Sequence, residues 1–156
     1  MAQRQMEPDA GIAFRVRPGR LGSRDYFAVF IYSTRAGMHR AHRREYGGKA
    51  YRTAKLQAVA SCGPVRVGPQ RSHCRGNIRF HAGAMNAGIV AHEMGHAALY
   101  WVLREVGMRI HPGDKRRVTA EEVFCCTLQS LVNQFWGGVG RLQRRGLIRA
   151  RRVHAK

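Results

Sequence analysis

The sequence predicts an α+β domain in which a small mixed or antiparallel sheet packs against helices. Short β-branched and aromatic runs alternate with longer apolar segments that begin at capping residues and end at glycines. The chain has 156 residues, 44% of them hydrophobic, which is enough for one core without disulfides. No internal repeat is present, so we expect one domain over 26–140, an irregular arm over 1–25 and a basic tail over 141–156.

The first half of the chain predicts three strands and one helix. Residues 1–25 mix Pro, Gly and Arg with few apolar residues, which favours irregular structure. The predicted strands are 26–33, 55–61 and 77–81. Between the first two, Thr34 can cap a helix over 35–46. In the third strand, Ile78 and Phe80 alternate with polar residues and should share one face.

The second half predicts two helices separated by a basic loop. Residues 85–106 lack Pro and are rich in Ala, Leu, Val and Met, which is typical of a largely buried helix. Asn86 is an acceptable N-cap for it. The second helix should begin after Thr119 and stop at the pair Gly137 and Gly138.

The first of these helices carries the sequence His-Glu-x-x-His at His92, Glu93 and His96. Positions four apart share a helix face, so the two imidazoles can bind one metal ion. Glu93 is offset by one residue, where a general base for an attacking water would stand. The competing interpretation is a core helix whose His residues bond backbone carbonyls. It leaves a buried, charged Glu without a partner.

A catalytic zinc site needs a third protein ligand. The metzincin order would place a Gly and then a His after His96, but Leu99 and Val102 occupy those positions. This route fails. His111 and His154 remain as candidates without a supporting pattern.

The other source of a third ligand is the start of the next predicted helix, where Glu121 and Glu122 stand. A carboxylate from a second helix is a common zinc ligand. Glu122 also completes a capping box with Thr119, which is a purely structural role for it. Both glutamates therefore remain open as ligands.

The segment from Ile89 to Ala98, followed by Glu122 and Cys125, resembles the gluzincin arrangement. It is most similar to short intracellular zincin-like proteins of phages and mobile elements, including the ImmA/IrrE group, over roughly residues 76–136. The resemblance implies a zincin-like fold, with Zn²⁺ bound by His92, His96 and Glu122 and with Glu93 as general base. Such proteins more often carry Ala and Asn or Asp where Cys125 and Cys126 stand, so the choice between Glu121 and Glu122 stays open.

The activity that the resemblance implies is peptide-bond hydrolysis on a protein or peptide substrate. The predicted strand 77–81 would hold an extended substrate by edge pairing. Electrophilic help to the developing oxyanion could come from Tyr100, His111 or Arg109, among which the sequence does not choose.

The net charge of +19, from 28 Lys and Arg against nine Asp and Glu, favours polyanionic partners. The alternative function is therefore a nucleic-acid- or partner-binding protein whose metal site is structural or inactive. The basic loop and tail carry the candidate contacts. They are Lys115, Arg116, Arg117, Arg144, Arg145, Arg151 and Arg152. A basic surface could also bring a peptidase to nucleoprotein, or could have no dedicated ligand.

The sequence predicts a cytoplasmic protein without a membrane partner. Residues 1–11 include Glu7 and Asp9 where a signal peptide would be apolar, and no apolar run is long enough to span a bilayer. The four Cys are expected as reduced thiols, with Cys125 and Cys126 in the core. A second zinc site is conceivable without a C-x-x-C pair to support it. Its ligands would be Cys62, His73, Cys74 and His81. The oligomeric state is left open.

Overall fold

In the part of the chain that the structure describes, the fold consists of six strands, three α-helices and two short helical turns. The computed structural model describes residues 11–18, 24–46, 57–62, 66–67, 70–71, 73–105 and 120–147. The strands are β1 Ile12–Val16, β2 Tyr26–Tyr32, β3 Ala58–Cys62, β4 Arg66–Val67, β5 Gln70–Arg71 and β6 Cys74–His81. The helices are α1 Arg35–Tyr46, α2 Ala87–Tyr100 and α3 Ala120–Arg144, with a 3₁₀ turn at Ala82–Ala84 and a π-helical turn at Trp101–Glu105.

Four strands form one mixed sheet in the order β1-β2-β6-β3. The outer pairs, β1 with β2 and β6 with β3, are antiparallel, whereas the central pair of β2 with β6 is parallel. Strands β4 and β5 form a separate two-stranded ribbon. The α+β prediction is therefore confirmed as a four-stranded mixed sheet with three helices packed against it.

The helices cover both faces of this sheet. Alternate residues of β2 point to opposite faces, because side chains of a strand alternate. Val29 and Ile31 join the larger core with α2 and α3, whereas Phe30 and Tyr32 pack on Met38 of α1. We call these the α2/α3 side and the α1 side. Burial on both faces explains why the predicted strand 26–33 is apolar throughout.

Strand β1 lies within the arm that was predicted to be irregular, so that prediction is wrong for Ile12–Val16. Ile12 and Phe14 pack against the larger core, and Val16 is fully buried in it. These alternating apolar residues pair with β2 in antiparallel register. The flanking Pro, Gly and Arg residues hide this short pattern in the sequence.

Strand β6 includes the predicted strand 77–81 and begins three residues earlier, at Cys74. Ile78 and Phe80 face the larger core as predicted. On the α1 side, Arg79 is only 1% exposed, and its Nη1 donates to Glu45 Oε2 of α1 at 2.6 Å. Asn77 Nδ2 donates to the other carboxylate oxygen of Glu45 at 3.0 Å. This network fixes α1 on the sheet.

Helix α1 matches its predicted range, and its cap is confirmed by a hydrogen bond of 3.1 Å from the Gly37 N–H to Thr34 Oγ1. The predicted helix 85–106 is also present. It begins after Asn86, whose side chain accepts from the Ile89 N–H at 3.0 Å, and it passes into the π-helical turn after Tyr100. None of the helices in the described segments is long and apolar enough to cross a membrane.

Helix α3 does not stop at Gly137 and Gly138, as predicted, but continues to Arg144. The reason is packing: a Cβ at position 138 would lie 2.8 Å from the Phe14 ring, so the glycine lets β1 approach the helix. Arg141 to Arg144, assigned to the basic tail by sequence, are thus the last turn of α3.

The cysteine predictions are only partly met. Cys125 and Cys126 are exposed rather than in the core, because the inner face of α3 is formed by Leu131, Phe135 and their neighbours. All four Cys are free thiols. Cys74 Sγ donates to the Gly76 carbonyl at 3.4 Å, and His73 Nδ1 lies 3.1 Å from Asp25 Oδ1.

Several predicted features lie outside the described residues. They are the first residues of the strand 55–61, the cap Thr119, the candidates His111, Arg109 and His154, and the basic residues Lys115, Arg116, Arg117, Arg151 and Arg152.

Candidate metal centre

The two His of the His-Glu-x-x-His sequence converge on the outer surface of α2. Their Nε2 atoms are 3.2 Å apart, and the ring planes are perpendicular. Both side chains are exposed, which corrects the prediction of a largely buried helix. Nitrogens at this separation can each lie about 2.1 Å from one zinc ion with an angle of roughly 100° at the metal, close to tetrahedral. His92 and His96 therefore fit two positions of a zinc site.

Glu93 lies between them in sequence but is 7% exposed and faces the sheet. Its carboxylate accepts a hydrogen bond from the backbone N–H of Ala60 in β3. The residues of β3 on this side are Ala58, Ala60 and Cys62, all small, which lets α2 pack closely on the strand. The helix α2 thus carries a buried carboxylate towards the sheet and two exposed imidazoles on its outer surface.

Burial raises the pKa of the Glu93 carboxyl above its ordinary value. The two His side chains and the Ala60 N–H act in the opposite direction, because they favour the ionised form. Burial also raises the pKa of the Cys62 thiol to about 12, with a second contribution from the negative charge of Glu93. Glu93 and Cys62 therefore share one weakly solvated environment between α2 and β3.

The edge of the sheet nearest this site is β3, not the predicted strand 77–81. Strand β6, which contains 77–81, is an interior strand paired on both sides. The His81 N–H donates to the Gln57 carbonyl at 3.4 Å, so residues 57, 59 and 61 direct their backbone groups to β6. Residues 58, 60 and 62 direct theirs to the open edge. Glu93 accepts from an N–H of that edge.

The predicted third ligand is not assembled with the His pair. Among the residues that the structure describes, no three His, Cys, Asp or Glu side chains could hold a metal ion together. Glu121 and Glu122 are both exposed in the first turn of α3. This turn adjoins the end of the α2 segment, since Ala120 packs with Trp101 and Val102. Ligation by either glutamate stays a prediction.

The orientation of α3 distinguishes the two glutamates. Glu121 precedes Phe124 by three residues and Leu128 by seven, so it shares the helix face that packs on the core. Glu122 instead shares its face with Cys126 and Gln129, both exposed. Helical phase therefore places Glu121, the alternative ligand from the sequence, nearer the core-packed face of α3 than Glu122.

The remaining predicted site residues are only partly described. Tyr100 lies one turn beyond His96 on α2, and its ring meets Phe27 edge-on at 6.4 Å between centroids. Arg144 and Arg145 are exposed at the end of α3, far along the helix from Glu121.

Sequence reasoning missed Ala60 and Cys62. The contribution of Ala60 is a backbone N–H, and no side-chain pattern signals it. Its position beside Glu93 depends on β3 being the edge strand next to α2, which is a property of the strand order.

Comparison with protein-family models, with curated proteins and with solved structures finds no match to the chain.

Proposed function

We propose that the chain is a zinc-dependent metallopeptidase with a zincin-like arrangement of sheet and helices. The observation that carries the proposal is the placement of Glu93. Its carboxylate is buried towards the sheet on the helix that carries two exposed His, whose Nε2 atoms are 3.2 Å apart, and it accepts from the open edge of β3. A structural role for α2 requires neither the convergence of the imidazoles nor a buried carboxylate.

His92 and His96 would hold the metal through Nε2, and a carboxylate from the start of α3, Glu121 or Glu122, would complete the protein ligands. When bound, zinc supplies Lewis acidity, which makes water more acidic and a peptide carbonyl more electrophilic. Imidazole and carboxylate are the donors that zinc prefers in catalytic sites. The donor types available here fit that ion.

Glu93 would act as the general base. A base works best when its pKa is near the working pH, and burial moves the pKa of Glu93 in that direction. The carboxylate would take a proton from the attacking water and then deliver it to the amine that leaves. The hydrogen bond from Ala60 fixes the orientation of the carboxylate for this transfer.

The substrate would be an extended peptide bound along the open edge of β3. Residues 58 and 62 direct backbone donors and acceptors to that edge, where the Ala60 carbonyl also points, and strand addition uses such groups. The edge lies beside Glu93, so a peptide paired there would lie next to the proposed base. The zincin resemblance of Ile89 to Ala98 supports the same arrangement, with β3 in place of the strand predicted from sequence.

The test compares zinc content and hydrolysis of labelled casein in three variants. Glu93→Gln should keep zinc and lose hydrolysis, because the amide cannot accept the proton. His92→Ala should lose both. His73→Ala, which changes an exposed His outside the site, should lose neither. Full hydrolysis by Glu93→Gln would show that the proposed base is wrong.

A further inference from the structure

The outward surface of α2 and of the π-helical turn carries no formal charge up to Leu103. Glu93 is the one charged residue in the stretch 87–103, and it is buried against the sheet. The exposed residues of the stretch are small, apolar or His. They are Ala87, Gly88, Ala91, His92, His96, Leu99 and Leu103. In a chain with a net charge of +19, this uncharged surface is suited to contact with another protein rather than with a polyanion.

Helical phase places the His pair and two leucines on one stripe of this surface. Leu99 follows His96 by three residues and His92 by seven, and Leu103 follows His96 by seven. Residues at these spacings share a helix face. Leu99 is 39% exposed and Leu103 is 42% exposed. We call His92, His96, Leu99 and Leu103 the α2 stripe, in which two imidazoles adjoin an exposed apolar patch.

The space beside the imidazoles is open. Gly95 lies next to both His92 and His96 on the helix surface, and a Cβ built on it would meet no atom within 4 Å. Gly88, one turn before His92, is exposed and also lacks a side chain. A second protein surface can therefore approach the two Nε2 atoms, which are 3.2 Å apart.

The ligand requirement of zinc indicates what that second surface would carry. Tetrahedral zinc takes four ligands, and imidazole nitrogen is one of the donors that it prefers. His92 and His96 supply two of them. A two-fold interface brings the same surface of two copies together, so a second copy of the chain would supply two further imidazoles. The two pairs together match the number and the type of ligands that zinc requires.

We propose that the α2 stripes of two copies meet across one zinc ion, with His92 and His96 of each copy as its ligands. This proposal rests on the metal-binding part of the proposed function and not on hydrolysis. A zinc site with four protein ligands has no position for water and is structural. The bridged dimer is thus an inactive form of the proposed peptidase, and hydrolysis belongs to the monomer with its own ion.

The dimer should depend on the metal. A stable protein interface buries about 1,200 to 2,000 Å² in total, far more than two leucines from each copy can cover. The net charge of +19 on each copy also opposes association. The ligands must therefore supply most of the binding free energy, and we expect a monomer when zinc is absent.

The test measures molar mass by sedimentation equilibrium near pH 7.5, where His is largely neutral, and in about 0.15 M salt, which screens the charge repulsion. Without metal, the mass should be that of one chain, 17.6 kDa. Half an equivalent of zinc per chain should double it. Excess zinc should restore the monomer, because each His pair then binds its own ion.

One variant separates the dimer from metal binding. Gly95→Leu fills the open space beside the imidazoles and removes no ligand, so it should still bind zinc and yet remain monomeric at half an equivalent. The matched control is Gly137→Leu, at an exposed glycine of α3 where a Cβ would meet only the Arg141 side chain, at 3.6 Å. It should dimerise as the wild type does. Circular dichroism checks that both variants are folded.

Three results would overturn the proposal. One is a monomer at half an equivalent of zinc with the zinc bound, which would place all the protein ligands in one chain and leave the proposed metal centre intact. Another is a dimer that persists in EDTA. The third is a zinc-dependent dimer of His92→Ala, which would assign the bridge to other residues. Failure of the wild type to bind zinc at all would instead contradict the metal centre itself.

Discussion

Different interactions hold the helices against the two sides of the sheet. On the α2/α3 side, aromatic rings pack in series, with Phe135 at 4.9 Å from Phe80 and 5.7 Å from Phe14 between centroids. On the α1 side, the helix is tied to β6 by the buried Arg79 and by Glu45. The apolar side carries the exposed His pair, and the polar side carries Arg40, Arg43 and Arg44 of α1, which are also exposed. The comparison teaches that one small sheet can be covered by apolar packing on one face and by a buried ion pair on the other.

The largest effect is expected on the α1 side. Replacing Glu45 with Ala leaves Arg79, which is 1% exposed, without its carboxylate. An uncompensated buried charge costs about 3 to 5 kcal/mol, so the free energy of unfolding should fall by about 3 kcal/mol or more. Denaturant unfolding measures the change. Arg43→Ala, at an exposed position of the same helix, should alter it by less than about 0.5 kcal/mol.

Removing one or the other partner of the Arg79–Glu45 ion pair should lower the free energy of unfolding by different amounts. Arg79→Met leaves a carboxylate whose side chain is 30% exposed and can be hydrated, so this change should cost less than Glu45→Ala. Equal losses from the two variants would mean that packing of the Arg79 stem, rather than its charge, holds α1 on the sheet.

A smaller effect is expected on the α2/α3 side. Gly138→Ala places a Cβ 2.8 Å from the Phe14 ring, which must shift, and we expect a loss of about 1 to 3 kcal/mol in the free energy of unfolding. Gly137→Ala meets only the Arg141 side chain, at 3.6 Å. It should therefore stabilise the helix by up to about 1 kcal/mol, the difference in helix propensity. Thermal unfolding of the two variants should shift in opposite directions.

The third expected effect is a loss of stability at alkaline pH. The pKa of Cys62 rises from its ordinary 9.0 to about 12 in the fold. Below pH 9 both states keep the proton, and above it the unfolded thiol ionises while the folded thiol does not. The free energy of unfolding of the zinc-free protein should therefore fall as pH rises from 9 towards 12, by at most about 1.4 kcal/mol per pH unit from this group.

The measurement is the slope of stability against pH in the wild type and in Cys62→Ala, which should be flatter above pH 9. The Cys74→Ala variant, on the α1 side, should retain the contribution of Cys62. An identical slope in the wild type and Cys62→Ala would contradict the buried environment that Cys62 shares with Glu93.

Local patterns in the sequence were sufficient for much of the fold. The strand at Tyr26, the helix capped by Thr34 and the helix capped by Asn86 depend on neighbouring residues, and the structure has all three. Gly138 suggested a helix end in the sequence, but its role is set by contact with Phe14, more than 100 residues away in the chain. Such a contact leaves no local signal.

The part of the candidate site that depends on local sequence was also predictable. The spacing of His92 and His96 determines their convergence on one helix face, and their Nε2 atoms are adjacent as predicted. The identity of the edge strand was not predictable, because it depends on the strand order, in which β3 pairs with β6 and so forms the outer strand of the sheet. The burial of Arg79 follows from the same strand order, because β6 is an interior strand, and it was equally hidden.

The most direct test of the proposed metal centre is the zinc content of the purified protein after reconstitution. Wild type should bind one equivalent, His92→Ala should bind none, and helical phase predicts a greater loss in Glu121→Gln than in Glu122→Gln. Zinc content unchanged in His92→Ala, or no zinc in the reconstituted wild type, would contradict the assignment of His92 and His96 as ligands.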